Sequence, residues 1–201
     1  GAQAIVSVLQ SLMLGDADFG LAGGAENMSR SPHIIPDARW GQKMGDAIVT
    51  DMMIGALTCP FGTGHMGVTA ENVAQEFNIS RQEQDSFAFE SQQRALLAIE
   101  QGRFKDQIVP IEIKRRKNTI IFDQDEHPKE TSIDTLSKLP TVFKKEGTVT
   151  AGNSSGINDG AAALILATKE AISGKKLNPI AKILGYAQTG VRPEIMGVGP
   201  I

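Results

Sequence analysis

The residues best suited to chemistry fall in two stretches. The first is "CPFGTGHMG", residues 59–67, in which the single cysteine, Cys59, precedes His65 by six positions. A thiol and an imidazole can work as a nucleophile–base pair when the fold brings them within reach of each other. A reactive thiolate also needs an activating neighbour. Pro60 followed by "GTG" argues against a helix N-terminus at Phe61 that could supply one, so Cys59 reads as a small packed thiol. His65 lies in a glycine loop just ahead of a helical pattern, where backbone amides and an imidazole can face a ligand. The competing reading is an ordinary loop histidine. The second stretch is "TVTAGNSSGINDGAAALIL", residues 148–166. Gly152, Asn153, Ser154, Ser155 and Gly156 offer amides and hydroxyls with little bulk, but their spacing matches neither the dinucleotide G-x-G-x-x-G nor the P-loop. A phosphate cradle and a plain turn between strands both stay open. His33, His65 and His127 are far apart with one cysteine, so no metal site is expected. No pair of carboxylates stands out for glycoside chemistry.

The elements that must hold these residues follow from periodicity. Residues 2–14 form an apolar helix whose hydrophobic positions cover most of its circumference, which predicts burial on nearly all sides. Gly15 ends it. "FGLAGGAENMS" reads as a short buried strand breaking into a turn, which begins an α/β unit. Residues 30–64 lack a period and form a long excursion, the kind of loop that is usually functional or used in assembly. Helices are predicted over residues 68–77 and from a Ser80–Glu83 capping box to about residue 101, where Gly102 stops the second. Strands are predicted at 107–113, at the sheet edge because of Pro110, and at 119–123. A short helix follows near 132–139. "AAALILAT", 161–168, has the apolar run of a strand buried on both faces. A helical turn follows, then a further strand at 179–191.

The 201 residues, 41% hydrophobic and 21% charged with a net charge of −3, suit a soluble α/β globular protein with a sizeable core. There is no basic excess to suggest nucleic acid. "KRRKN", 114–118, reads as a cationic hairpin tip. One cysteine excludes an internal disulfide framework and fits a reducing, cytoplasmic setting. No apolar run is long enough to span a membrane, and the apolar start lacks the charged n-region of a secretory signal.

"GHMGVTAENVAQEF", "SRQEQDSFAFESQQRA", "GRFKDQIVPI", "KEGTVTAGNSSGINDGAAAL" and "GVRPEIMGVGP" resemble the thiolases, in that family's order and spacing, over essentially the whole chain. "GHMG" is closer to the acetyl-CoA C-acetyltransferase class than to the degradative 3-ketoacyl-CoA thiolases. The resemblance implies a thiolase-like layered α/β sandwich, incomplete here, with an inserted mixed α+β loop domain. Residues 1–28 would end the N-terminal half, 29–157 would be the inserted coenzyme A-binding domain, 158–177 would return to the N-terminal half, and 178–201 would begin the C-terminal half.

By the same residue-by-residue match, Ser155 would bond the pantetheine amide of coenzyme A, with Ala151 beside it. Leu57, His65, Met66 and Phe143 would line the tunnel, and Lys129 stands where several members carry an arginine beside the adenine. A thin ligand passing close to backbone accounts for the small residues of the loop. The implied reaction condenses two acetyl-CoA to acetoacetyl-CoA plus CoA, reversibly. Acetyl-CoA, acetoacetyl-CoA and CoA would be substrates or products rather than cofactors, no other cofactor is implied, and the assembled protein would be a homotetramer. The aperiodic "WGQKMGD" within residues 39–53, with the single tryptophan, would serve assembly.

The family's nucleophilic cysteine belongs to a C-x-S-G motif whose last glycine matches Gly1. Its other catalytic motifs fall beyond Ile201. The resemblance therefore implies no catalytic residue within this chain. It predicts that the 201 residues alone bind coenzyme A without turnover. A stand-alone coenzyme A-binding or assembly module is the rival reading.

Overall fold

A computed structural model of the chain describes residues 1–116 and 118–201. Lys117, in the expected cationic tip, lies outside the described residues. The chain divides into two compact units. One comprises Gly1–Gly55 with Ile157–Gly190, the other Ala56–Gly156 with Val191–Ile201. Among the described residues no helix is long and apolar enough to cross a membrane.

The first unit opens with helix α1 (Ala2–Leu14), as its apolar period predicts. Gly15 ends it in the left-handed conformation at φ 79°, where its amide and that of Asp16 close on the Leu12 and Ser11 carbonyls. Strand β1 (Phe19–Asn27) follows and pairs antiparallel, much later in the sequence, with the strand that returns at Asp159–Ala167. The register runs from Phe19↔Ala167 to Asn27↔Asp159. At the far end of this ladder the Ser29 amide donates to Asp159 Oδ1 at 2.9 Å and the Ser29 hydroxyl donates to Oδ2. Those bonds hold the Asp159 carboxyl below the usual range, the hydroxyl contributing most.

Between these strands the 30–64 excursion is indeed irregular. It carries β2 (His33–Ile34) paired with β3 (Thr50–Asp51), a 3-10 turn at Ala38–Trp40, the short helix α2 (Met52–Ala56), and then β4 (Thr58–Cys59) paired with β5 (Gly64–His65).

The second unit is mainly helical. Helix α3 (Met66–Glu76) begins two residues earlier than the period predicts, and α4 (Arg81–Glu100) starts at the expected box. The Ser80 amide donates to Glu83 Oε2 at 2.7 Å, and the Glu83 amide donates to Ser80 Oγ at 3.2 Å. The Ser80 hydroxyl and amide together hold the Glu83 carboxyl below its usual range. A hairpin of β6 (Ile111–Lys114) and β7 (Thr119–Phe122) and the short α5 (Ile133–Ser137) follow. The chain then enters the other unit through β8 (Asp159–Ala167), the returning partner of β1, and α6 (Lys169–Lys175), capped by Thr168. Residues 191–201 come back onto α3, where Asn72 Nδ2 donates to the Glu194 carbonyl at 3.0 Å and Arg192 reaches Glu76 at 2.7 Å.

Four expectations are corrected. Helix α1 is not buried on nearly all sides. Only Leu12 is buried, and Met13 and Leu14 are 75% and 78% exposed. Strand β8 is not buried on both faces, since Leu164 and Ile165 are 49% and 77% exposed, and on β1 only Ala22 is buried. Apolar patterning decides which faces seek cover. Within one helix on a two-stranded ladder there is too little chain to cover them all. Residues 179–191 form no strand, because among the described residues no strand edge pairs with them. The strand predicted at 107–113 begins only at Ile111. Residues 101–107 turn through bonds such as Gln107 N–H to Phe104 O at 2.9 Å, and Pro110 has no amide to offer a ladder.

Candidate ligand-binding site

The site grows from the junction of β5 and α3. His65 closes the hairpin and caps the helix: its Nδ1 accepts the Gly67 amide at 3.0 Å. With that lone pair engaged, the hydrogen-bond pattern assigns the ring proton to Nε2, which is then a donor. The His65 ring stacks on Phe143 with centroids 4.9 Å apart and planes 19° from parallel. Gly67 makes this possible, because a Cβ there would run into the Phe143 ring. The Met66 amide donates to the Leu57 carbonyl at 2.8 Å, so the strand before the hairpin is tied to the helix start. Leu57, His65, Met66 and Phe143 thus meet at one corner, with His65 half-buried and Met66 41% exposed.

The loop of residues 147–155 is held from beneath by two carboxylates. Glu71, on α3, is 4% exposed and accepts the Thr148 amide at 2.9 Å, the Val149 amide at 2.9 Å and the Thr148 hydroxyl at 3.1 Å. Gln84, on α4, donates to that same hydroxyl oxygen at 2.9 Å. A Cβ at Gly147 would collide with the Glu71 carboxylate, which accounts for the glycine. Asp85, 2% exposed, accepts Asn153 Nδ2 at 2.9 Å and Arg81 Nε at 2.7 Å. Arg81 passes on to the Leu136 and Leu139 carbonyls at 2.7 and 3.0 Å. Asn153 Oδ1 takes the Thr150 amide at 2.7 Å. Val142 N–H donates to Val149 O at 3.1 Å, which joins the segment that carries Phe143 to the loop. Both buried carboxylates are satisfied, Glu71 by neutral donors alone and Asp85 by Arg81 and Asn153, as burial requires. Ala151 and Ser155 are left exposed on the loop. Lys129 is exposed too, its backbone amide anchored to α4 through Gln92 Oε1 at 3.0 Å.

The β4–β5 register decides the Cys59–His65 question. Thr58 pairs with His65 and Cys59 with Gly64, so the thiol and the imidazole project to opposite faces of the ladder and form no nucleophile–base pair. The expectation that Cys59 has no activator needs correction. The Thr63 hydroxyl, then the Phe61 and Thr63 amides, point at its sulfur and hold the thiol below its ordinary range. Turn donors do this, not a helix terminus.

Sequence reasoning missed Glu71, Arg81, Gln84 and Asp85, and it read Asn153 as a ligand-facing loop residue where the structure turns it inward to Asp85 and the Thr150 amide. One signal was available. Gly67, Glu71 and Ala74 fall on one face of α3 at helical spacing, and all are buried, so an acid sits in what is otherwise an apolar stripe.

Comparison with known proteins converges on one family. The model of the thiolase N-terminal domain matches residues 1–170. The beta-ketothiolase BktB of Cupriavidus necator is 53% identical over 100% of this chain and 52% of its own length. The crystal structure of the Bacillus anthracis acetyl-CoA acetyltransferase superposes with a TM-score of 0.94 at 44% identity, covering 99% of this chain and 51% of that one. The human mitochondrial 3-ketoacyl-CoA thiolase in complex with CoA superposes with a TM-score of 0.89 at 42% identity, covering 99% of this chain and 50% of that one. This chain spans about half the length of the curated relatives it matches. It has the α/β thiolase fold. The matched domain, the ordered motifs and the superposition agree, and the chain belongs to the thiolase family.

Proposed function

We propose that the protein is an acetyl-CoA C-acetyltransferase and that these residues hold its coenzyme A. The observation that carries this reading is the loop of residues 147–155. Buried carboxylates consume its inner amides while Ala151 and Ser155 stay exposed and small. A pantetheine arm is thin, has two amides and needs backbone-close passage, which such a loop offers. Ser155 would bond a pantetheine amide, with Ala151 in contact beside it. His65, through Nε2–H, and Met66, Leu57 and Phe143 would line the path toward the reacting thioester. Lys129 would meet the nucleotide end as a point charge. The chemistry itself is assigned to groups that match no residue here: a nucleophilic cysteine that forms an acyl-enzyme, and a second cysteine that moves the proton as the carbon–carbon bond forms or breaks. The proposal includes no metal or redox cofactor, a cytoplasmic homotetramer, and an assembly role for residues 39–53, where Trp40 is 87% exposed.

A second reading, a degradative 3-ketoacyl-CoA thiolase, is supported by the likeness to the human enzyme of that name. Acyl-chain preference separates the two. The test is calorimetric titration with CoA of these 201 residues, which alone should show no turnover, next to thiolysis of acetoacetyl-CoA and of a long-chain 3-ketoacyl-CoA by a protein that also carries the two catalytic cysteines. The proposal expects saturable CoA binding weakened several-fold by Ser155→Ala, and thiolysis that favours the short substrate. Absence of CoA binding would refute it, and preference for the long chain would favour the second reading.

A further inference from the structure

We propose that Glu71 is a positioning residue for ligand binding, acting through the loop it clamps. The inference deepens the coenzyme A reading and rests on it. Helix α3 is one rigid piece. Its first turn carries Met66 with His65 as cap, and five residues on, a rise of about 7.5 Å, it carries Glu71. At the first point the helix builds the His65–Phe143 corner. At the second it fixes the loop that bears Ala151 and Ser155, through two backbone amides and one hydroxyl. Both walls of the proposed pantetheine path are therefore referenced to a single helix.

The choice of a carboxylate is informative. Two adjacent amides and a hydroxyl converge on the Glu71 oxygens, and an acceptor-only group with two oxygens satisfies all of them. An amide side chain cannot, since one of its ends presents donors to donors. Apolar burial would fill the same volume without setting the loop's height. Gly147 lets the loop backbone come down onto the carboxylate, so the clamp works at closest approach. Asp85 supports the other side of the loop through Asn153, which turns its Oδ1 to the Thr150 amide. These bonds leave the loop one height above α3 and α4, and they leave the exposed Ser155 hydroxyl to meet a ligand amide.

The experiment compares CoA with adenosine 3′,5′-bisphosphate, which has the nucleotide end without the pantetheine, as ligands of the wild-type protein and of Glu71→Gln. Amide exchange is followed alongside. The expected result is CoA binding weakened by about tenfold or more. Nucleotide binding should stay within about twofold, with faster exchange confined to the Thr148 and Val149 amides. Arg192→Ala, which breaks the ion pair to Glu76 on the same helix, should lower the melting temperature and leave CoA affinity unchanged. Should Glu71→Gln fail to fold, Thr148→Val removes the hydroxyl with its bonds to Glu71 and from Gln84, keeps both backbone-amide bonds to Glu71, and should give the same CoA-selective loss at smaller size. Equal weakening of both ligands, or no change in CoA affinity, overturns the positioning role while the functional reading stands. A wild-type protein that binds no CoA overturns that reading and this inference with it.

Discussion

The two units answer opposite problems with opposite materials. In residues 1–55 and 157–190 the patterning is strongly apolar and yet little is buried: Leu12 and Ala22 are covered while Leu21, Leu164 and Ile165 are 70%, 49% and 77% exposed. In residues 56–156 and 191–201 the patterning is polar, and polar groups sit in the interior: Thr69, Glu71, Asp85 and Thr150 are all buried. A β ladder is held by its own backbone bonds and leaves its faces for whatever will cover them. A ligand loop has no ladder to hold it, so its shape must come from side chains that reach into it, and buried charge with matched donors does that with direction. Apolar surface specifies that something is covered, whereas the Glu71 and Asp85 networks specify where an atom sits.

That contrast can be broken most severely at Asp85. Asp85→Ala leaves Arg81 and Asn153 without their shared acceptor in the interior and is expected to cost about 3 kcal/mol, the low end for breaking a buried pair because Arg81 retains some solvent. A denaturant melt of the variant reads the loss directly. A change below about 1 kcal/mol would mean that the network is as replaceable as a surface pair.

A smaller effect is expected from acid, and it divides between the units. Glu83 in one and Asp159 in the other have carboxyls held below their ordinary values of 4.5 and 3.8. A depressed group adds stability that is fully present above its unfolded pKa and is lost as pH falls through the folded one. Melting temperature should therefore decline below about pH 4.5. Glu83→Gln should flatten the upper part of that decline and Ser29→Ala the lower part. Melts from pH 7 to pH 3 check both, and identical slopes in all three proteins would contradict the assignment.

The smallest effect is expected on the exposed apolar face. Ile165→Thr keeps the β-branch of a residue that is 77% exposed and should change the stability of the isolated chain by no more than about 0.5 kcal/mol. A cost of several kcal/mol would mean that the face is covered in solution.

The same contrast explains what could be read beforehand. Helices α1, α3 and α4 were legible because their period and caps are local, the Ser80–Glu83 box most plainly. The ligand-facing role proposed for His65 began from a glycine loop ahead of a helix, and the structure makes that residue the helix cap itself. Glu71 was not legible as a clamp, because its partner amide lies 77 positions away and an acid in "TAENVAQEF" looks like a solvated face. The donors around Cys59 depend on how the residues 60–63 turn, which composition does not set. Burial was misjudged for α1 and β8 because apolar residues state a demand for cover and not its supply.

The central claim is that the loop over Glu71 and the corner at His65 hold the coenzyme A arm. Amide exchange of the protein with and without saturating CoA tests it most directly. The account predicts added protection at residues 65–67 and 150–156 and unchanged exchange along β1 and β8. Protection of the β1–β8 ladder with no change at residues 65–67 and 150–156 would contradict it.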